Sequence, residues 1–287
     1  MRLARFGPVG AERPGITTRD DLLLDVSSLV DDYDRAFFAS GALATLTEDV
    51  ARQSATLPSV RLDGSVRVGA PIARPGKVIC IGLNYADHAA ESGLPVPDEP
   101  VVFMKGSDTV VGPYDDVYIP RGSTKTDWEV ELGIVIGSTA RYLPDADSAR
   151  AVIAGYCVSH DVSERHFQLE RGGQWDKGKS CERFNPVGPW LVTADEVPDP
   201  QALALSLDVN GQRRQRGSTA TMVFGVLEIV RYLSQFMVLE PGDLINTGTP
   251  PGVGMGQQPP HYLVDGDVVD LSIEGLGAQR QRFVDAP

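Results

Sequence analysis

Short runs of β-branched and aliphatic residues recur along the chain, each closed by Gly, Pro or a polar cluster: "KVICIGLNY", "PVVFMKG", "DDVYIP", "WEVELGIVIG", "AGYCVSHDVS", "GPWLVTA", "LALSLDVNGQRRQ", "GDLINTG" and "VVDLSI". Runs this short, with few helical stretches between them, predict a mainly β domain with a few helices, an α+β arrangement rather than a doubly wound parallel sheet. "DVNGQ" predicts a tight hairpin, because Asn210 and Gly211 suit the positive φ angles of a two-residue turn. The period changes once. In "MVFGVLEIVRYLSQFM", Val223, Val226, Val230, Leu233 and Met237 recur at intervals of three and four, which predicts a helix that "LEPGD" stops. Residues 1 to about 70 mix strand signals ("MRLARFG", "LLLDVSS") with a helical stretch, "DDYDRAFFASGALATLTEDVARQ", and end in turn-rich sequence. They predict a small N-terminal domain with its linker, ahead of a main domain over 71–287.

Composition narrows the class. The chain has 287 residues, 42% of them hydrophobic, enough for one large core or a main and a minor one. It carries 26 Lys+Arg against 39 Asp+Glu, a net charge of −13, and no basic run, which argues against a nucleic-acid partner. No apolar stretch approaches the roughly 20 residues of a membrane span, and "MRLARFGPVG" lacks the apolar core of a signal peptide, so no membrane contact and a cytoplasmic location are expected. Cys80, Cys157 and Cys181 are far apart and in no metal-binding spacing, which reads as reduced structural thiols.

Several acids break this bland picture. "TDWEVELGIVIG" places Glu129 and Glu131 two apart in a strand-like run, so both point to one face of a sheet. A solvated face or basic partners would explain them; so would a cation between them. A third acid, Asp161, ends the strand "AGYCVSHD", where it could cap a following helix or complete a set of oxygen ligands of the kind Mg²⁺ favours. If that helix begins at Asp161, Arg165 and Gln168 share its face. "QWDKGKS" then offers Lys177 and Lys179 in a loop, either solvated or beside an anionic substrate. Upstream, "GLNYADHAAESG" holds His88 and Glu91 three apart, adjacent on a helical turn, as chance or as a base and its orienting carboxylate. Its Gly and Pro flanks suit a lid. Downstream, "NTGTPPGVGMG" combines Gly248, Gly252, Gly254 and Gly256 with Thr249, so that backbone N–H groups can approach a ligand closely; it is no P-loop, because no Gly-Lys-Ser/Thr follows.

Six of these motifs, "GLNYADHAAESG", "PVVFMKG", "TDWEVELGIVIG", "GYCVSHDVSER", "WDKGKS" and "NTGTPPGVGMG", in this order over residues 75–285, resemble the fumarylacetoacetate hydrolase family. The resemblance implies a mixed β-sandwich roll, a Mg²⁺ or Mn²⁺ cofactor, a homodimer, and C–C bond chemistry on small 2-oxo or β-diketo acids. It implies Glu129, Glu131 and Asp161 as metal ligands, and His88, Glu91 and Lys179 as catalytic groups. Lys179 rather than Lys177 matches because the family's lysine stands four residues after the tryptophan. Arg165, Gln168 and Thr249 match substrate-contacting positions. Within the family the chain is most similar to bacterial hydrolases of 2,4-diketo-3-deoxy-L-fuconate and L-rhamnonate, which release pyruvate and lactate. The same acids would serve an oxaloacetate decarboxylase, another lyase or an isomerase. A metal-dependent keto-acid binding protein is the non-enzymatic alternative, against which the His88–Glu91 pair argues.

Overall fold

A computed structural model describes residues 1–17, 22–91 and 95–287 of the chain, with the side chains of 88–90 outside the described residues. The central strand, Val130–Ile136, is flanked by Ile153–His160 on one side and Leu244–Asn246 on the other, both antiparallel to it. Beyond Leu244–Asn246 the sheet continues through Val78–Gly82 to Val101–Lys105. Beyond Ile153–His160 it continues through Leu191–Thr193 to the N-terminal strands Arg2–Phe6, Arg13–Thr17, Leu22–Asp25 and Ser59–Arg61. With Val68–Gly69, which pairs with Arg2–Phe6 off this path, the result is an 11-stranded sheet. A second, 5-stranded sheet holds Gln212–Ser218, Ala204–Val209, Val268–Ile273, Gly277–Asp285 and Val117–Ile119.

The central strand is buried along its whole length, so its two faces serve two cores. Val130, Leu132, Ile134 and Ile136 join the core shared with the second sheet, through Leu205, Leu207, Val269 and Leu271, and with the helix Val226–Leu233. Val135 faces the other core with Cys80, Cys157 and Leu244, covered by Tyr33, Phe37, Phe38 and Leu46. The N-terminal segment therefore contributes both strands and core to the main sheet, and the sheet has no break near residue 70.

The expected hairpin forms between Ala204–Val209 and Gln212–Ser218, with Asn210 at φ 52° and Gly211 at φ 75°. The N-terminal helical stretch is two helices, Arg35–Ala39 and Ala42–Gln53, because Gly41 at φ 74° interrupts the helical path. The later helix spans Val226–Leu233, shorter than the apolar period implies; Val223 and Met237 pack on the same core from outside it. Gly277–Asp285 gave no strand signal, since its inward positions are Gln279, Gln281 and Phe283. The two glutamines are buried because their amides bond carbonyls of neighbouring segments: Gln279 donates to Val158 O and Gly188 O, and Gln281 donates to Pro113 O. Among the described residues no helix is long and apolar enough to cross a membrane.

Candidate metal centre and active-site cavity

Register brings the acids together. In the antiparallel pair of Val130–Ile136 with Ile153–His160, Glu131 stands opposite Ser159 and Gly133 opposite Cys157. Directly opposed residues share a face, and one step further the same register sets Glu129 opposite Asp161, whose N–H donates to Glu129 O at 3.0 Å. The three carboxylates converge with ligand oxygens all within 4.8 Å of one another, each residue 5% exposed or less. Asp161 is not a helix cap. The helix that follows, Arg165–Leu169, is capped by Glu164, which accepts from Phe167 N, and Ser163–Glu164 pairs instead with Thr126–Asp127. Arg165 and Gln168 thus do not extend a helix from Asp161; they meet on one turn of their own, Arg165 Nη1 donating to Gln168 Oε1 at 3.1 Å.

Cations surround the acids. Lys179 Nζ donates to Glu129 Oε2 at 2.6 Å and to Asp161 Oδ2 at 2.9 Å. Arg165 donates from Nη2 to Glu129 Oε1 at 2.7 Å and from Nε to Asp127 Oδ2 at 2.8 Å. Lys105 Nζ, fully buried, binds Asp161 Oδ1 at 2.5 Å and Val162 O at 3.0 Å. Glu131 has no ion pair among the described residues and accepts the N–H of Gly248 at 2.8 Å. Burial first, then the nearby Asp161 and Glu129 carboxylates, pushes its carboxyl well above the ordinary range, against the smaller pull of Lys179 and Gly248. Lys179 goes the other way: burial opposes its charge, but Asp161 and Glu129 outweigh that and hold the ammonium above the usual lysine range. Among the described residues four carboxylates, Asp127 included, thus face three cations; with Glu131 ionised the set carries one excess negative charge, which a divalent ion would offset. An all-oxygen donor set of three buried carboxylates fits a hard ion such as Mg²⁺ or Mn²⁺ and disfavours zinc.

The "WDKGKS" segment is the short helix Asp176–Lys179 rather than a loop, and it separates its two lysines. Lys177 is exposed and bonds Arg171 O, while Lys179 is 2% exposed in the cluster. Gly178 allows this: a Cβ there would lie 2.3 Å from Glu164 O and 2.6 Å from Gln168 Cβ, so only glycine lets the two short helices close on each other.

The Gly-rich segment supports the acids from the opposite side. Thr249 donates to Val130 O at 2.9 Å and accepts from Gln215 Nε2 at 2.8 Å, while Gln215 Oε1 accepts from Val130 N. Its hydroxyl proton thus holds the acidic strand in place. Asp127, fully buried, accepts from Gly254 N at 2.6 Å and Met255 N at 3.0 Å as well as from Arg165. Helix Ala86–Glu91 meets this segment at Glu91, whose two oxygens each lie 3.0 Å from Gly252 N. The side chain of His88 lies outside the described residues.

A cavity of about 290 Å³ opens onto the cluster, lined by Glu129, Glu131, Arg165, Gln168, Lys179, Gly248 and Thr249, and by the apolar Ile81, Leu83, Phe103, Leu169, Trp175 and Met255. Its volume is at the lower end of small-molecule sites. Lys105, Asp127, Gln215 and the aromatic pair Phe103–Trp175 were not singled out from sequence. Lys105 and Phe103 lay within the recognised motif "PVVFMKG", Asp127 within "TDWEVELGIVIG" and Trp175 within "WDKGKS"; Gln215 alone of these lay outside the six motifs.

Residues 77–284 match the family model described as fumarylacetoacetate (FAA) hydrolase, C-terminal. The chain belongs to the fumarylacetoacetate hydrolase family. It is 56% identical over 284 residues to a proposed hydrolase of Burkholderia multivorans, covering 98% of each chain. Among solved structures it resembles maleylpyruvate hydrolase from Sphingobium sp. SYK-6 in complex with manganese(II) ion and pyruvate, with a TM-score of 0.83 and 28% identity over 100% of both chains. It also resembles 2-hydroxyhepta-2,4-diene-1,7-dioate isomerase from Mycobacterium marinum, with a TM-score of 0.76 and 33% identity over 99% and 98% of the two chains. The fold is the mixed β fold of this family of hydrolases and isomerases.

Proposed function

We propose that the protein is a Mg²⁺- or Mn²⁺-dependent hydrolase that cleaves the C3–C4 bond of a 2,4-dioxo acid, giving pyruvate and a second carboxylic acid. The observation that carries this reading is Lys179, buried at the cavity floor between Glu129 and Asp161. Two of its three ammonium protons are engaged there, and the third is available to a substrate oxygen. Glu129, Glu131 and Asp161 would hold the ion, which supplies positive charge for the carboxylate and 2-oxo oxygens of the substrate. The remaining N–H groups of Arg165 and the amide nitrogen of Gln168 suit the substrate carboxylate. Thr249 acts through the strand it holds.

His88 takes a proton from water, with Glu91 fixing the lid on Gly252 N, and the resulting hydroxide adds to C4. The tetrahedral adduct collapses with cleavage of C3–C4, and the bonding pair passes into the C2–C3 enol system. Lys179 stabilises the negative charge that reaches the 2-oxo oxygen, and protonation at C3 then releases pyruvate. A 2,4-diketo-3-deoxy sugar acid of the L-fuconate or L-rhamnonate type, with lactate as second product, is the specific substrate suggested by motif similarity. The protein acts in the cytoplasm as a homodimer in this reading.

The test is pyruvate release from 2,4-dioxopentanoate with and without Mg²⁺, beside oxaloacetate and an isomerase assay on 2-hydroxyhepta-2,4-diene-1,7-dioate. Decarboxylation or isomerisation without any C3–C4 cleavage would replace the hydrolase reading. Binding of 2-oxo acids without turnover would make the protein a keto-acid binder.

A further inference from the structure

We infer that the apolar wall of the cavity selects an uncharged, apolar substituent on C4, and that Phe103, Trp175 and Leu169 are the residues that set this specificity. The inference rests on the dioxo-acid reading and departs from the sugar acid that motif similarity suggests, whose C5 hydroxyl this wall would disfavour. Every charged side chain lining the cavity among the described residues is already engaged at the carboxylate end. Lys179 binds Glu129 and Asp161; Arg165 binds Glu129, Asp127 and Gln168. No lining cation among the described residues is left for a second carboxylate on the substrate.

What remains of the wall is apolar and built closely. The Phe103 and Trp175 rings meet edge to face at 5.4 Å, and Lys179 Nζ sits 5.0 Å from the Phe103 centroid, so the aromatic wall begins beside the catalytic cation. Trp175 is seated on Gly82, where a Cβ would fall 2.7 Å from the indole ring. Leu169, 45% exposed, stands at the mouth. An acyl chain on C4 would be desolvated against these side chains at a gain of roughly fourfold in affinity per methylene. A distal carboxylate would be buried there without a partner, and a hydroxyl would lose its water without a hydrogen bond in return.

Two measurements test the wall, and one of them does not depend on turnover. In the first, 2-oxohexanoate and 2-oxoadipate are titrated into the Mg²⁺-loaded protein; the two ligands share a chain length and differ in the terminal carboxylate. The monoacid should bind at least tenfold more tightly, and equal or reversed affinities overturn the inference whatever the reaction is. In the second, kcat/KM is compared for 2,4-dioxopentanoate, 2,4-dioxohexanoate, 2,4-dioxoheptanoate, 5-hydroxy-2,4-dioxohexanoate and 2,4-dioxoheptanedioate. It should rise through the first three, fall when the hydroxyl is added, and fall furthest for the diacid.

Trp175→Ala should flatten the chain-length trend in kcat/KM and narrow the preference for 2-oxohexanoate over 2-oxoadipate. Leu169→Arg, at an exposed position that tolerates charge, should raise binding and turnover of the diacids at least tenfold. Hydrolysis of all the dioxo acids with no dependence on the distal group would sink this inference and leave the proposed reaction standing. Tight selective binding of 2-oxohexanoate with no hydrolysis would do the reverse.

Discussion

Replacing Lys179 by Met removes the one cation that bridges two of the three clustered acids, and the structure sets the size of the effect. Breaking a buried ion pair by removing one partner costs about 3–5 kcal/mol, because the other charge stays buried. Glu129 keeps Arg165 on its second oxygen and Asp161 keeps Lys105, so the lower end applies, about 3 kcal/mol. For a chain of 287 residues this is a loss of roughly 5 °C in melting temperature in the presence of EDTA. In the proposed site Mg²⁺ would supply the missing positive charge, so it should raise the melting temperature of the variant more than that of the wild type. Activity does not return with it, since the ammonium is also the donor to the developing enolate oxygen; kcat/KM should fall about 10²–10³-fold. Lys177→Met is the control. Its ammonium is exposed and, among the described residues, bonds Arg171 O, so stability should change by less than about 0.5 kcal/mol and kcat/KM by little. Thermal melts with EDTA and with Mg²⁺, together with pyruvate release, read both effects. Equal behaviour of the two variants, or a Lys179→Met protein that melts like wild type in EDTA, would refute the reasoning.

Activity should vanish with excess EDTA and return with Mg²⁺ or Mn²⁺; full turnover in chelated buffer would exclude the metal role. The stabilisation by Mg²⁺ should grow as pH rises above 4.5, the ordinary glutamate value. Folded apo-protein keeps the Glu131 proton above 4.5, where the unfolded chain has lost it, so apo stability falls as pH rises until the ion displaces that proton. A melting-temperature increment that is flat or shrinks over this range would contradict the sign. Asp161→Ala should lose Mg²⁺ binding by calorimetry, whereas His88→Ala should retain Mg²⁺ and oxalate binding and lose only hydrolysis. Wild-type turnover of a 2,4-dioxo acid by His88→Ala would remove it as the base. Gly178→Ala should destabilise the protein by about 1–3 kcal/mol and impair turnover, because its Cβ meets Glu164 O and Gln168; wild-type melting and kinetics would show that the two helices do not need this contact.

Local pattern alone decided much here. The two-residue spacing of Glu129 and Glu131 put both on one face, the Asn210–Gly211 dipeptide specified its hairpin, and short β-branched runs separated by turn residues marked a mainly β chain. These are properties of neighbouring residues, and φ preference and strand period carry them without reference to the rest of the molecule. The reach of a buried group across the fold was not legible in the same way. Lys105 looks like the polar end of a strand until pairing turns it onto Asp161, 56 residues away. Asp127 looks like a turn residue until loop 252–256 folds back to donate two N–H groups to it. Gln279 and Gln281 erased the alternation of their strand because only the packed neighbours show that their amides are satisfied in the core. Nor could residues 1–70 show that their strands extend the main sheet, since an isolated strand edge carries no mark of the edge it will meet. Sequence determined which way each side chain points along its own element; the tertiary structure decided which opposite charges those directions bring together, because register between distant strands is set by the burial of whole faces.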